Sequence, residues 1–261
     1  MMLAHEWVKN QEYLNYFKKR QEEGKFVLMD NGAFENERVI WQELVDLTAQ
    51  VRPSCVIMPD VLGNGIETRK DTLEFYNNHS NQIKELGVDL MAVPQGSTFE
   101  EFLENYKLFS SLEGVNYLWI SYILFFNDIP GHEEELKRLE QEECQTRYRM
   151  IKRTLLINYL EENNIIDRSK RHHLLWLSDP FEYHIYGELL QDPSFIYSGD
   201  SALAYIMGKA GRIIDCEIGI VWDREKSLAD FNEQPELNET QIRSIIRNID
   251  VINRFASLVK E

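Results

Sequence analysis

Short apolar runs alternate with amphipathic segments along the whole chain. Seven runs have the length and composition of buried strands, and they lie at 26–29 (FVLM), 54–58 (SCVIM), 89–93 (DLMAV), 116–121 (NYLWIS), 173–177 (HLLWL), 194–198 (SFIYS) and 213–221 (IIDCEIGIV). The other segments have helical periodicity, and they lie at 4–22, 37–51, 68–86, 98–112, 133–163, 181–191, 201–209 and 239–259. Strand–helix alternation of this regularity predicts a parallel sheet.

The number of strand–helix units indicates the fold class. Seven or eight units fit into the 261 residues, and a closed α/β barrel takes about 250 residues. We therefore predict a TIM-type (β/α)8 barrel, irregular where the eighth strand is short, and not an open doubly wound sheet. Residues 1–261 are expected to form one barrel domain, with the helices at 4–22 and 239–259 packed on it. The charged stretch 123–144 is expected to be a lid or an extended connection.

Polar residues follow every predicted strand. In a βα barrel the carboxyl ends of the strands meet at one rim, where active sites are built. Asp179 and Ser201 are expected to cap the helices that follow them, and Asp223 is expected to lie in a surface turn. Asp30 and Asp60 precede their helices by too many residues to cap them, so we expect their carboxylates to face the rim. The other strand-end candidates are Gln95, Gly96, Ser121, Tyr122 and Asp200.

Several carboxylates in one pocket suit reactions in which charge develops at carbon. One carboxylate can attack a sugar carbon while a second group, which carries a proton, assists the leaving group. A further aspartate can accept from the N1–H and 2-amino groups of guanine, and Gln95 offers both a donor and an acceptor. Phe34 offers a face on which a planar base can stack. These residues alone do not identify a substrate.

The charge of the chain weighs against a nucleic-acid partner. The formal net charge is −16, whereas surfaces that bind phosphates are basic. Between residues 147 and 171, however, seven Lys and Arg residues stand against three acids. This cluster is either a solvated helix face or a phosphate-binding patch. The candidates for phosphate contacts are Arg147, Arg149, Lys152, Arg153, Lys170 and Arg171.

The cysteines and the N-terminal stretch exclude several classes of protein. The three cysteines are far apart and form no CxxC pair, so neither a zinc site nor a disulfide framework is predicted. The first residues contain no long apolar run, so neither a signal peptide nor a membrane span is expected. We expect a cytoplasmic protein (in the host cytoplasm if it is viral) with no metal and no cofactor.

Five short motifs stand in order along the chain: MDNGAF, PDV, VPQG, HLLWLSDPFE and SGDS. In this order they resemble the tRNA-guanine transglycosylase superfamily, and most of all its phage and bacterial members that place 7-deazaguanine bases in DNA. The resemblance covers about residues 26–212. It implies a TIM barrel that exchanges guanine for a preQ0-like 7-deazaguanine in DNA, with tRNA as the second choice of substrate. The implied partners are DNA and the free base, and a homodimer is left open.

The resemblance also implies a role for each strand-end residue. Asp200, in SGDS, would be the nucleophile that forms a glycosyl-aspartate, and Asp30, in MDNGAF, would be the general acid and base. Asp60 would bind the guanine edge, and Gln95 would bind the carbonyl oxygen of the base together with the Gly96 N–H. The full set implied to bind the base is Phe34, Asp60, Gln95, Gly96, Ser121 and Tyr122.

The chain departs from the family pattern in ways that bear on the substrate. Asn31 and Ala33 stand where the family loop has Ser and a second Gly, and the C-terminal zinc cluster of tRNA-acting members is missing from the sequence. The missing cluster disfavours tRNA, and the net negative charge disfavours any polymer. Two other hypotheses stay open: a nucleoside or glycoside hydrolase that uses the same carboxylates on a small substrate, and a non-catalytic barrel that binds a base or an active homologue.

Overall fold

The computed structural model describes residues 1–7, 10–33, 39–143, 145–177, 179–214 and 237–259. Phe34 and Asp223 lie outside these described residues, as does most of the predicted strand 213–221. The chain forms two compact units, Met1–Leu174 and Leu175–Glu261. That the whole chain makes one barrel domain remains a prediction.

In its described residues, the first unit has an α/β fold with six parallel strands in chain order. They are β1 Met2–Leu3, β2 Leu28–Asp30, β3 Cys55–Ile57, β4 Asp89–Ala92, β5 Val115–Ile120 and β6 Arg171–Leu174. Each strand pairs in parallel with the next one along the chain. The predicted α/β class and parallel sheet are thus confirmed, and the chain order of the strands is compatible with an irregular (β/α) barrel. The two-residue strand β1 was not predicted.

Helices connect these strands. They are α1 Ala4–Trp7, α2 Gln11–Glu22, α3 Trp41–Val51, α4 Gly65–Glu85, α5 Phe99–Ser111, α6 Glu133–Glu142 and α7 Gln145–Glu162. The predicted helix 133–163 is therefore two helices, and the first of them lies in the stretch expected to be a lid or an extended connection. Side-chain caps begin α2, α4 and α5: Asn10 Oδ1 accepts from Glu12 N at 2.9 Å, Asn64 Oδ1 accepts from Glu67 N at 3.0 Å, and Thr98 Oγ1 accepts from Glu101 N at 3.2 Å.

The second unit contains α8 Phe181–Leu189, β7 Ile196–Gly199, α9 Leu203–Lys209 and α10 Glu239–Ser257. Its helices correspond to the predicted segments 181–191, 201–209 and 239–259. The fully buried Asn248 joins α10 to the chain at the end of α9, since its Nδ2 donates to Arg212 O at 3.0 Å and its Oδ1 accepts from Ile214 N at 2.8 Å. Asn238 begins α10 with a reciprocal capping box to Gln241.

Two searches of the described residues concern membranes and metals. None of the helices in these ranges is both long enough and apolar enough to cross a membrane. Within the same ranges, no group of three or more His, Cys, Asp or Glu side chains is arranged to hold a metal ion.

Candidate functional site

The carboxyl ends of β2 to β5 lie at one edge of the sheet in the first unit, because these neighbouring strands are parallel. We call this edge the carboxyl rim, and define it as residues 30–33, 58–63, 93–96 and 121–126. Apolar strand residues such as Val56 and Met91 are fully buried. The polar side chains that follow them, Asp30, Asp60 and Gln95, are 3–7% exposed. The rim is therefore a set of polar groups held at the end of an apolar core.

Asp60 lies at the centre of a hydrogen-bonded array that spans three strand ends. Its Oδ1 accepts from Asn31 Nδ2 at 3.0 Å, and its Oδ2 accepts from Gln95 Nε2 at 2.9 Å. Asn31 Nδ2 also donates to Met58 O at 2.8 Å. Each oxygen of a carboxylate has two acceptor sites. One site on each Asp60 oxygen is thus used by a side-chain amide, and both amides hold the carboxylate in one orientation.

Asp30 occupies the last position of β2, next to this array in the chain. Its Oδ1 accepts from Gly32 N at 3.4 Å, and Gly32 has a φ of +78°. Asn31 Oδ1 accepts from Ala33 N at 2.7 Å. These two short-range bonds, with glycine in the left-handed region, turn the chain sharply at the end of the strand. The turn explains the small residues in MDNGAF, and it leaves the Asp30 carboxylate at the rim.

Helix α4 fixes the backbone on both sides of Asp60. Thr72 Oγ1 donates to Pro59 O at 2.8 Å. Thr68 Oγ1 donates to Val61 O at 3.0 Å and accepts from Val61 N at 2.9 Å. Both threonines are fully buried. The carboxylate of Asp60 is therefore positioned by its backbone as well as by its amide partners.

Helix α5 fixes Gln95 and Gly96 in the same way. The fully buried Asn105 donates through Nδ2 to Gln95 O at 2.9 Å and to Gly65 O at 2.8 Å. A Cβ on Gly96 would stand 2.5 Å from Phe102 N. Glycine is required here because the first turn of α5 packs directly on the backbone. This packing accounts for VPQG without any ligand, so the predicted role of the Gly96 N–H remains a prediction.

Ser121 and Tyr122 follow β5 at the same rim, and both are buried. Ser121 Oγ accepts from Ile123 N at 3.1 Å, which makes a local turn. Tyr122 OH donates to Thr146 O at 2.6 Å and so ties the rim to the start of α7. These bonds give both residues a structural role, and their predicted place beside a base remains a prediction.

The six predicted phosphate-binding cations do not form one surface. Two of them are buried: Arg153 is 0% exposed and Lys152 is 4% exposed. Arg153 donates to Ile120 O at 3.4 Å, and its guanidinium lies 5.3 Å from the centre of the Tyr122 ring. Lys152 Nζ donates to Leu124 O at 2.6 Å, and burial lowers the pKa of Lys152 from 10.5 to about 8. Both side chains support the β5 end of the rim from inside the protein.

The other four cations lie at opposite edges of the sheet. Lys170 Nζ donates to Val115 O, at the first residue of β5, at 2.7 Å, and Arg171 is the first residue of β6. Both are therefore at the amino ends of the strands, away from the rim. Arg147 and Arg149 are in the first turns of α7, near the Tyr122–Thr146 bond, and neither is buried. Of the six predicted residues, only these two remain candidates for phosphate contacts beside the rim.

Asp200 lies in the second unit, directly after β7. Its Oδ1 accepts from Trp176 N at 3.0 Å and its carbonyl accepts from Leu177 N at 2.7 Å. Trp176 has a φ of +56°, in the left-handed region that a bulky residue rarely adopts. Ser201 Oγ accepts from Leu203 N, at the first residue of α9, at 3.1 Å, and Asp179 Oδ1 accepts from Phe181 N, at the first residue of α8, at 2.9 Å. The residues directly before these helices are Ala202 and Pro180, which make no side-chain cap, so Ser201 and Asp179 bond the helix starts from one position earlier than expected.

Sequence reasoning missed the residues that hold the array together: Asn31 as a partner of Asp60, and Thr68, Thr72 and Asn105 as supports from the helices. Only one signal pointed to them. The threonines and the asparagine occupy core-facing positions in their helices, where a polar residue needs a buried partner.

Comparisons with known proteins do not place the chain in a family. No model of a known protein family matches it, and no curated protein matches it. The likeness to the tRNA-guanine transglycosylases therefore rests on the short motifs and their order at the strand ends.

Proposed function

We propose that this protein exchanges guanine for a 7-deazaguanine base in DNA through a covalent glycosyl-aspartate. The observation that carries the proposal is the buried array in which Asn31 and Gln95 hold the Asp60 carboxylate, with Asp30 next to Asn31 in the chain. The order of the MDNGAF, PDV, VPQG and SGDS motifs supports it independently. The closed (β/α)8 barrel predicted from the sequence is part of the same proposal.

The array suits the edge of a guanine-type base. Asn31 and Gln95 donate to different oxygens of the Asp60 carboxylate, and each carboxylate oxygen can accept more than one hydrogen bond. Guanine and 7-deazaguanines share two adjacent donors, N1–H and the 2-amino group. A carboxylate held by two amides pairs with these donors without first having to be ordered, which favours binding.

The proposed reaction has two displacement steps at C1′ of the target nucleotide. In the first, an Asp200 oxygen bonds to C1′, the C1′–N9 bond breaks, and guanine leaves with a proton from Asp30. In the second, the incoming base gives its N9 proton to Asp30, its N9 bonds to C1′, and the bond from C1′ to Asp200 breaks. Both aspartates return to their starting states, so no redox cofactor or metal is needed for balance.

The polymer substrate has to present its base out of the helical stack, since a base inside a duplex cannot reach such a site. Arg147 and Arg149 are the cations proposed to contact phosphates beside the rim. Single-stranded DNA is therefore the first substrate to test.

The test is incorporation of labelled base. Wild-type protein with guanine-containing DNA and labelled guanine or preQ0 is expected to transfer label into DNA. Asp200→Ala and Asp30→Ala should abolish transfer, because the nucleophile or the proton carrier is lost. Asp46→Ala, on the exposed face of α3, is the matched control and should transfer label normally. Absence of transfer from wild-type protein to either DNA or tRNA would overturn the proposal.

A second candidate is a hydrolase that acts on a small nucleoside or glycoside. Two observations favour it: the net charge of −16, and the scattering of the basic residues between the two edges of the sheet. Water would then take the place of the incoming base. This hypothesis predicts release of free base or sugar from a small substrate with no second base present, whereas the exchange enzyme needs an acceptor base to complete its cycle.

A further inference from the structure

Phe125 is a half-exposed aromatic side chain at the carboxyl rim. Its side chain is 49% exposed, and three of its ring atoms lie 2.8–3.0 Å from the position that a Cβ on Gly63 would occupy. Gly63 also has a φ of +68°, a left-handed conformation that favours glycine. Glycine is therefore needed there for two reasons: this backbone conformation and the space that the Phe125 ring occupies. The ring of Phe125 therefore lies on the backbone of the Gly63 turn.

The Gly63 turn is bonded directly to the array described above. Gly63 N donates to Gln95 Oε1 at 3.3 Å, and Gln95 Nε2 donates to Asp60 Oδ2 at 2.9 Å. The exposed ring is thus linked to the carboxylate through only two residues. An apolar face and a set of hydrogen-bonding groups stand side by side at the same edge of the sheet.

The exposure of Phe125 does not come from a loosely held loop. On one side, Leu124 O accepts from the buried Lys152 Nζ at 2.6 Å. On the other side, Phe126 is 3% exposed, and its ring packs against Phe99 and Phe102 with centroids 6.1 and 5.6 Å away. Both neighbours are anchored in the core, so the backbone holds Phe125 at the surface.

Burying a phenylalanine ring stabilises a fold, and an exposed ring forfeits part of that stabilisation. Two more apolar side chains are exposed near the same edge. Ile40 and Ile66, both 68% exposed, stand at the starts of α3 and α4, the helices that follow β2 and β3. The rim therefore combines buried polar groups with exposed apolar ones. This combination matches a ligand that has flat apolar faces and a polar edge.

We propose that Phe125 is a ligand-binding residue whose exposed ring stacks on a planar heteroaromatic ring of the purine or 7-deazapurine class. The Asp60–Gln95 array bonds the edge of the same ligand. The inference rests on the proposed function, because it assumes that the rim binds a base. It adds a stacking residue from the loop after β5 to the Phe34 ring implied by the motif resemblance.

The test is the affinity of the full-length protein for free guanine and for preQ0, measured by equilibrium dialysis. Stacking on an aromatic side chain contributes enough that Phe125→Ala should weaken binding by about 10-fold or more. Phe125→Tyr and Phe125→Trp keep a ring and should bind within a few-fold of wild type. Phe125→Leu keeps apolar bulk without a π-face and should bind less tightly than either.

The matched control is Phe26→Ala. Phe26 is 46% exposed, close to the 49% of Phe125, but it precedes β2 and so lies at the opposite edge of the sheet. Its replacement should leave affinity unchanged. Urea midpoints of the Phe125 variants close to wild type will show that the fold is kept.

A separate variant distinguishes this inference from the proposed function. Asp60→Asn should lose base binding if the array recognises the base. If Asp60→Asn loses binding while Phe125→Ala binds like wild type, the stacking inference is overturned and base recognition by the rim stands. If wild-type protein binds neither base, or Asp60→Asn binds as well as wild type, base recognition by the array is overturned and the stacking inference fails with it.

Discussion

The side chain of Asn31 makes three hydrogen bonds, to three different residues. Both Nδ2 protons are donated, to Met58 O and Asp60 Oδ1, and Oδ1 accepts from Ala33 N. One small amide therefore fixes the end of β3, the carboxylate of Asp60 and the turn after β2. Serine, which the motif comparison would place here, has a single proton to donate and cannot make this set of bonds.

Asn31→Ala should lower the free energy of unfolding by about 1–3 kcal/mol, because a buried carbonyl and a buried carboxylate oxygen each lose a donor. Asn15→Ala, on the exposed face of α2, is the control and should change stability by less than about 0.5 kcal/mol. Urea denaturation at neutral pH measures both values. Equal stabilities for the two variants would show that the amide of Asn31 does not support the array.

Lys152 predicts a pH dependence of stability. Its pKa is lowered to about 8 in the folded chain, chiefly because burial disfavours the ammonium form. Between about pH 8 and 10.5 the unfolded chain binds more protons at this residue than the folded chain, so stability increases with pH across that window. Below about pH 8 both states are protonated, and the full penalty of the buried charge is present.

The comparison that isolates this residue is wild type against Lys152→Met. The difference in unfolding free energy, wild type minus variant, should grow in favour of wild type from pH 7.5 to pH 10. Urea denaturation at several pH values measures it. A difference that stays constant over that range would mean that Lys152 titrates alike in the folded and unfolded chains.

At the scale of elements, α5 positions the rim through its first turn. Thr98 caps the helix, Gly96 packs beneath it, and Asn105 two turns later bonds the Gln95 carbonyl. Glu101 Oε2 also accepts from Ser97 N at 2.8 Å and from Ser97 Oγ at 2.7 Å, and these bonds lower the pKa of Glu101. The helix start and the strand end are thus one hydrogen-bonded unit.

Thr98→Ala should therefore cost about 1 kcal/mol of stability through loss of the cap. Thr98→Ser keeps the hydroxyl and should recover most of it. Thr240→Ala is the matched control, since Thr240 is an exposed residue inside the first turn of α10 and should tolerate alanine with little change. Thermal unfolding followed by circular dichroism distinguishes them, and a Thr98→Ala variant as stable as Thr240→Ala would contradict the capping role.

The sequence predicted the strands and helices better than it predicted the hydrogen-bond partners of the site residues. The apolar runs located β2 to β6 because buried parallel strands leave a strong local signal, and β1 was missed because two residues give none. We expected Asp30, Asp60 and Gln95 at one edge of the sheet because the carboxyl ends of parallel strands meet there, and these residues do lie at that edge. Asn31, Thr72 and Asn105 were not identified, because the direction in which a polar side chain points depends on packing between distant segments.

The basic cluster shows a different limit of sequence reasoning. Its members are close in the chain, yet α7 has 18 residues, and at about 1.5 Å per residue such a helix spans about 27 Å. Cations that are close in the sequence therefore lie at opposite edges of the sheet. The burial of Lys152 and Arg153 could have been expected from the mainly apolar stretch that follows them, TLLINYL.

At the scale of the molecule, the charge of the chain bears on how it would bind DNA. The net charge is −16, and of the predicted cluster Arg147 and Arg149 are the two residues that lie beside the rim without being buried. Affinity for single-stranded DNA should depend only weakly on salt, because few counterions are released. Two phosphate contacts correspond to a slope of about −1.4 in a plot of log K against log salt concentration.

This slope can be measured by titrating labelled single-stranded DNA at several salt concentrations. The double variant Arg147→Glu with Arg149→Glu should flatten it. The double variant Lys18→Glu with Lys19→Glu, on α2, carries the same charge change and should leave the slope as it is. A slope several times steeper in wild type would reveal a basic surface other than α7.

The Asp60 array takes one amide or acid from each of three loops, and each loop follows a different strand. Because Asn31 and Gln95 each donate to the Asp60 carboxylate, replacing any one of the three removes a bond from at least one of the other two. New selectivity at this edge would therefore be reached by paired substitutions in neighbouring loops, in which the second restores the partner that the first has lost.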